Sequence, residues 1–305
     1  MYEQHFGLTT KPFSLLPDPD VLYLSSRHRR ALGLLEYGIT SQAAFTVITG
    51  EIGSGKTTLL QYFLRTLGPE STIGLITNVH SSFGDPMGWV TQSFDIPVTA
   101  NDPATLYNAF VEFVIQQYAA GKRTILAIDE AQNFSLDMLE KLRMLSNINS
   151  GKELLLHTIL VGQPELLTAL NRPELHQFAQ RIAASYHLDP LDAADTAGYI
   201  DHRLTNAGGS GDLFTAEART GVYFFSHGVP RLINSLCDMA LVYGYAEDLR
   251  RIDLSTVLDV VRDREASGLS AFRRMPAGED QTVTNQILNR RAGMSPGLDA
   301  AGEGV

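Results

Sequence analysis

The 305-residue chain is 44% hydrophobic and carries a formal net charge of −10. That apolar content supports one large packed core or two smaller ones, while the negative charge argues against a general electrostatic attraction to nucleic acid. Cys237 is the single cysteine, which excludes an intrachain disulfide and fits a reducing compartment; "SLCDMALVY" reads as its buried helical setting.

No apolar run approaches the roughly 20 residues that a membrane-spanning helix needs. The start "MYEQHFG" also lacks the basic-then-apolar order of a secretion signal. A cytoplasmic chain is expected, with any membrane role peripheral and reached through a partner. The first elements are irregular: "GLTTKPFSLLPDPDVLYLSS" mixes prolines and aromatics, and "RHRR" at 27–30 opens the amphipathic run "ALGLLEYGI". That basic cluster is either a solvated helix face or a partner contact.

From residue 45 onward, strand-like and helix-like segments alternate. "AFTVITG" precedes "GKTTLLQYFLRTLG"; "TIGLITNV" precedes a helix starting near Pro86, and "PATLYNAFVEFVIQQYAAG" leads into "TILAIDEA". The helix "LDMLEKLRMLSNI" and the strand "LLLHTILVG" follow. Short apolar strands separated by helices imply a mostly parallel sheet covered on both faces. After "YHLDPLD" the strand signals stop and helical patterns follow at 192–207, 215–227, 230–247 and 254–265, with Asp212 or Thr215 as the cap of the second. The expected organisation is an arm and helix packed on the core (1–44), an α/β core (45–189), a small all-α lid domain (190–265) and a disordered tail or tether (266–305).

"GEIGSGKT" at 50–57 matches the phosphate-loop pattern and lies between an apolar strand and an amphipathic helix, the context that its chemistry requires. Glycines let consecutive backbone N–H groups face phosphate oxygens at a helix N-terminus, a lysine reaches the β- and γ-phosphates, and a hydroxyl ligates Mg²⁺. Gly50, Glu51, Ile52, Gly53, Ser54, Gly55, Lys56, Thr57 and Thr58 are therefore the candidate ATP-binding residues. "TILAIDEAQ" at 124–132 is an apolar strand that ends in two acids: Asp129 is the candidate partner of the Mg²⁺ shell with Thr57, and Glu130 the candidate base for water. The eight histidines show no paired ligand spacing, so the nucleotide's Mg²⁺ is the only metal expected.

At this point the chain resembles the AAA+ ATPases, and more narrowly the ExeA/GspA-like group associated with general secretion. The resemblance runs in order through "HFGLTTKPFSLLPDPDVLYLSSRHRRALGLLEYGI", "FTVITGEIGSGKTTL", "DEAQN", "LRMLSN", "LVGQPEL", "QRIAASYHLDPL", "YIDHRL" and "GVPRLIN", covering about residues 1–245. It implies a P-loop core followed by a helical lid, ATP hydrolysis with Mg²⁺, and an ATP-dependent homo-oligomer. Gln163 in "TILVGQPEL" matches the polar residue that positions water, the alternative being a helix cap. Arg181 matches the finger that enters a neighbour's site, with Arg172 as its competitor. Arg231 in "GVPRLIN" matches the lid arginine that reaches the γ-phosphate, and Phe13 or Tyr23 of the arm would border the adenine unless the arm only packs.

Two biological roles follow. One is a motor or assembly factor with protein partners in secretion, polysaccharide export or envelope biogenesis. The other is a DNA-associated AAA+ regulator of the transposition type, against which the acidic charge counts. ExeA-type proteins carry a membrane span and a peptidoglycan-binding region after the ATPase, and the sequence offers no segment that reads as either.

Overall fold

The computed structural model describes residues 1–77, 85–151, 153–268, 271–275, 284–285 and 287. Helix α1 (Tyr2–His5) opens the chain and α2 (Ser26–Thr40) leads into strand β1 (Phe45–Gly50). Then come α3 (Lys56–Thr66), β2 (Ser71–Ile76), α4 (Pro86–Ser93), α5 (Pro103–Ala119), β3 (Arg123–Ile128) and α6 (Leu136–Leu145). A two-residue hairpin, β4 (Asn149–Ser150) with β5 (Glu153–Leu154), precedes β6 (Leu156–Gly162), α7 (Pro164–Leu170), α8 (His176–Ala179) and β7 (Ile182–Leu188). The remaining helices are α9 (Ala193–Asn206), α10 (Ala216–Ser226), α11 (Pro230–Ala246) and α12 (Leu254–Ala266).

The chain divides into two compact units, Leu16–Pro190 and Met1–Leu15 together with Leu191 onward. In the first, five parallel strands lie in the order β2-β3-β6-β1-β7. Both faces are covered, so the strands are apolar at consecutive positions. In β3, Ile125 and Ala127 join the layer of α2 and α3 with Leu35, Leu59, Leu60 and Phe63. Leu126 and Ile128 join the opposite layer with Phe110, Leu139 and Phe178. Each buried Leu, Ile or Phe of these layers contributes roughly 1.5–3 kcal/mol by leaving water. Helix starts follow the expected chemistry: Ser25, Asp85, Asp102 and Ser135 each accept a hydrogen bond from a backbone N–H of the first turn.

The second unit is helical and recruits the amino terminus. Here the expected arm on the sheet is corrected for its first fifteen residues. The Tyr2 hydroxyl donates to Asp238 at 2.5 Å, and Lys11 pairs with the same carboxylate at 2.8 Å. Arg203 Nε donates to the Pro12 carbonyl at 2.6 Å, and Asn234 Nδ2 to that of Ser14 at 2.9 Å. Phe13 is fully buried, edge-on to Phe214 at 6.0 Å within this unit, so it offers no free face to an adenine. The arm's polar groups find partners on α9 and α11, which an irregular segment needs if it is to be buried.

Thr215, rather than Asp212, caps α10 through the Ala218 N–H. Cys237 is buried, and burial pushes its thiol well up from the ordinary value. The tail expected beyond residue 266 lies mostly outside the described residues. Where it is described, the Arg273 N–H donates to the Phe225 carbonyl at 2.9 Å and its guanidinium lies over the Phe224 ring at 4.6 Å.

The break between α10 and α11 is forced by contact. His227 and Gly228 both have positive φ, at 53° and 74°. A Cβ on Gly228 would stand 1.8 Å from the Leu191 carbonyl oxygen, while the Gly228 carbonyl accepts the Leu191 N–H at 2.9 Å. Gly228→Ala is therefore expected to destabilise the helical unit by at least ~2 kcal/mol, read as a lower unfolding midpoint in urea. An unchanged midpoint would show that this turn yields freely.

Candidate nucleotide site

The functional side chains converge because three strand ends do. β6 lies between β1 and β3, all parallel, so the residues following each strand emerge side by side at one edge of the sheet. Crevices outside the carboxyl ends of such strands are where open α/β sheets bind ligands.

The loop after β1 is shaped as a cradle. Gly53 and Gly55 have φ of +79° and +95°, the left-handed conformations that glycine adopts without strain. A Cβ on Gly50 would lie 2.6 Å from the Leu188 carbonyl and 2.9 Å from Ser54 Oγ. Ser54 Oγ is buried with no hydrogen-bond partner among the described residues. Glu51 and Ile52 are exposed at the tip, and Thr58 sits half-buried in the first turn of α3. Lys56 is buried, and its Nζ donates to the Gly50 and Glu51 carbonyls at 2.8 and 2.9 Å. Burial holds its pKa below the ordinary lysine value, against the nearby carboxylates of Glu130 and Asp129, which favour the charged form.

Across from the loop, Thr57 Oγ1 donates to Asp129 Oδ2 at 2.6 Å. Asp129 is 4% exposed, and burial raises its pKa against the Thr57 and Glu130 hydrogen bonds that stabilise the carboxylate. Its Oδ1 accepts the Glu130 N–H at 2.9 Å. A hydroxyl and a carboxylate placed together beside a cradle of N–H groups form the donor set that a magnesium-bound phosphate chain takes, so these residues fit both the nucleotide and Mg²⁺.

Glu130 has φ of +56°, unusual for a residue with a side chain. Two amides meet its carboxylate: Gln132 Nε2 donates to Oε2 at 2.5 Å and Gln163 Nε2 at 3.3 Å. Gln163 stands at the N-cap of α7 but makes no side-chain capping bond, so its amide is turned to Glu130 instead. Gln132 was not singled out by its sequence position. The only signal is a polar residue two places after Glu130, and nothing in the spacing says which way it points.

His28 is the second residue that the sequence hides. Arg29 and Arg30 of the "RHRR" cluster are exposed, as a solvated face requires, but His28 is 3% exposed. Its Nδ1 pairs with Ser25 Oγ at 2.8 Å, and a Cβ on Gly55 would stand 3.3 Å from its Nε2. Tyr23 is partly buried in the extended stretch before α2.

The arginines separate. Arg181 NH1 donates to Ser146 Oγ at 2.5 Å within its own chain. Arg172 is exposed, and no side-chain partner is recorded for it among the described residues. Arg231 is exposed in the first turn of α11, held there by Pro230 at the helix's first position.

This arrangement is that of a P-loop nucleotide site, and residues 39–170 match the AAA domain family. More narrowly, the chain is similar to General secretion pathway protein A of Aeromonas hydrophila, to which it is 39% identical over 253 residues, 83% of its length. It spans about half of that relative, 46%. The fold is shared with the Aeropyrum pernix ORC2 protein in its ADPNP-ADP complexes, at a TM-score of 0.59 and 13% identity over 90% of this chain and 83% of that one. Cdc6p of Pyrobaculum aerophilum gives 0.59 at 13% identity, covering 93% and 86%. The Thermotoga maritima RuvB Holliday junction branch migration motor gives 0.53 at 15%, covering 82% and 73%. At such identities the likeness shows the fold alone. No helix among the described residues is long and apolar enough to cross a membrane.

Burial lowers the His28 pKa from 6.5 to about 4. Between those values the unfolded chain binds a proton that the folded chain refuses, so stability is lost as the pH falls from 6.5 toward 4. The buried His157, also shifted down by burial, adds to the same slope. His28→Gln should flatten that slope by up to about 3 kcal/mol, at 1.4 kcal/mol per unit, as measured by denaturation at pH 7 and pH 4.5. An unchanged slope would mean that His28 takes up a proton in the folded chain.

Proposed function

We propose that this chain is an ATPase that hydrolyses ATP to ADP and phosphate. The observation that supports it best is the pairing of Thr57 with Asp129 beside a buried Lys56, with Glu130 one residue further on at the end of the same strand. Backbone N–H groups of Gly53, Gly55, Lys56 and Thr57 would face the phosphates. Lys56 would exchange its carbonyl partners for phosphate oxygens, an ionic contact stronger than the two neutral ones it leaves. Mg²⁺, when bound by Thr57 and through Asp129, supplies charge neutralisation at the β- and γ-phosphates. Glu130 would take a proton from the attacking water as the water oxygen bonds to the γ-phosphorus and the bridge to ADP breaks. Gln163 would hold that water in place.

An arginine from a neighbouring copy would stabilise the transferring phosphoryl group in an oligomer. Arg172 is favoured over Arg181 because its side chain is exposed and unengaged, whereas Arg181 is tied to Ser146. Arg231 is proposed as the γ-phosphate sensor on the family resemblance and not on its placement. Similarity to General secretion pathway protein A supports a role in secretion; with it we propose protein partners in envelope export or assembly and a peripheral position at the inner membrane.

Glu130→Gln should retain ATP affinity within about threefold and lose roughly 10²–10⁴-fold in turnover. Lys56→Ala should instead lose the affinity itself. Wild-type turnover in Glu130→Gln would remove Glu130 from the mechanism. Arg231→Ala should leave the unfolding midpoint and ATP affinity near wild type while lowering turnover at least tenfold, and normal turnover would reduce Arg231 to a helix start. Salt-sensitive retention of duplex DNA in the presence of ATP would count against a purely envelope role.

A further inference from the structure

The Glu130 carboxylate stands at the end of β3, whose neighbours are β2 on one side and β6 on the other. The phosphate loop leaves β1, which lies beyond β6 and away from β2. A carboxylate turned toward β6 therefore serves the loop, and one turned toward β2 does not. Both recorded hydrogen bonds to it come from the β6 side. Gln163 follows β6, and Gln132, which donates the shorter bond, is itself fastened there through Oε1, which accepts the Gln163 backbone N–H at 2.9 Å.

The local backbone is arranged to permit this link. Glu130 adopts a left-handed conformation, which turns the chain so that Ala131–Asn133 form a short 3₁₀ turn. Gly162, just before Gln163, leaves room for the amide: a Cβ there would stand 2.9 Å from Gln132 Oε1 and 2.9 Å from Leu166 Cδ2. Gln132 needs a donor and an acceptor on one planar group, and an uncharged amide provides both. Both bonds to Glu130 fall on Oε2, and none to Oε1 is recorded among the described residues.

We propose that Gln132 is a positioning residue for ATP hydrolysis. It fastens the end of β6 to the Glu130 carboxylate, holds that carboxylate on the phosphate-loop side, and leaves Oε1 to receive the proton of water. The proposal rests on the ATPase reading above, and it assigns to Gln132 a task distinct from that of Gln163: Gln132 orients the base, whereas Gln163 orients the water.

Two substitutions separate its two bonds. Gln132→Glu keeps an acceptor for the Gln163 N–H but loses the donor to Glu130; Gln132→Met loses both at similar size. Both should lower kcat at least tenfold while KM and the Kd for ATP stay within about threefold. A Gln132→Glu enzyme as fast as wild type would overturn the proposal, leaving Gln132 a mere anchor for β6, as would parallel loss of ATP affinity in both variants. Nuclear magnetic resonance of the full chain gives a test independent of turnover. The Gln132 side-chain amide should show a downfield, exchange-protected proton that disappears in Glu130→Ala. Absence of that proton in the wild type overturns the proposal. A wild-type chain that hydrolyses no ATP overturns the ATPase reading instead, and the resonance then still decides whether Gln132 holds Glu130.

Discussion

Everything at the candidate site depends on β6 pairing with β1 on one side and β3 on the other. The phosphate loop, the acidic pair and Gln163 come from three separate stretches of sequence. They meet because parallel pairing puts three strand ends at one edge. A slip of one residue in either ladder would turn every side chain of a strand to the other face, breaking two apolar layers at once. The cores that stabilise the sheet thereby fix the register on which the chemistry relies. Site geometry is inherited from packing.

That geometry is held under tension. Lys56 and Asp129 are both buried, and each has its pKa moved toward the neutral form by desolvation. Glu130 adds a left-handed backbone, worth on the order of 1 kcal/mol or more of strain. Each unfavourable feature is met by hydrogen bonds within the unit: Lys56 on two carbonyls, Asp129 on a hydroxyl and an N–H, Glu130 on two amides. The resulting charges are aimed before any ligand arrives, so less reorganisation is left for the moment of binding.

The sheet and the phosphate loop were legible in the sequence because their signals are local. Glycine spacing, an apolar run and two adjacent acids report on backbone needs within a few residues. Gln132 was not legible, since its task depends on a positive φ at Glu130 and on the closeness of Gly162, thirty residues away in the sequence. His28 hid for another reason: three arginines surround it, and charge suggests water, yet helical geometry turns one residue of the four inward. The arm misled because prolines and aromatics say only that a segment is irregular. Its partners, Asp238, Arg203 and Asn234, lie some two hundred positions further on.

That arm also sets a sequence of events in time. During synthesis residues 16–190 are complete, and free to form their sheet, before α9 to α12 have emerged. Residues 1–15 are made before that sheet, yet the helices that receive them are made after it. The buried positions of Leu8 and Phe13 therefore exist only once residues beyond 190 have been made. A segment made ahead of the sheet is placed only by helices made after it.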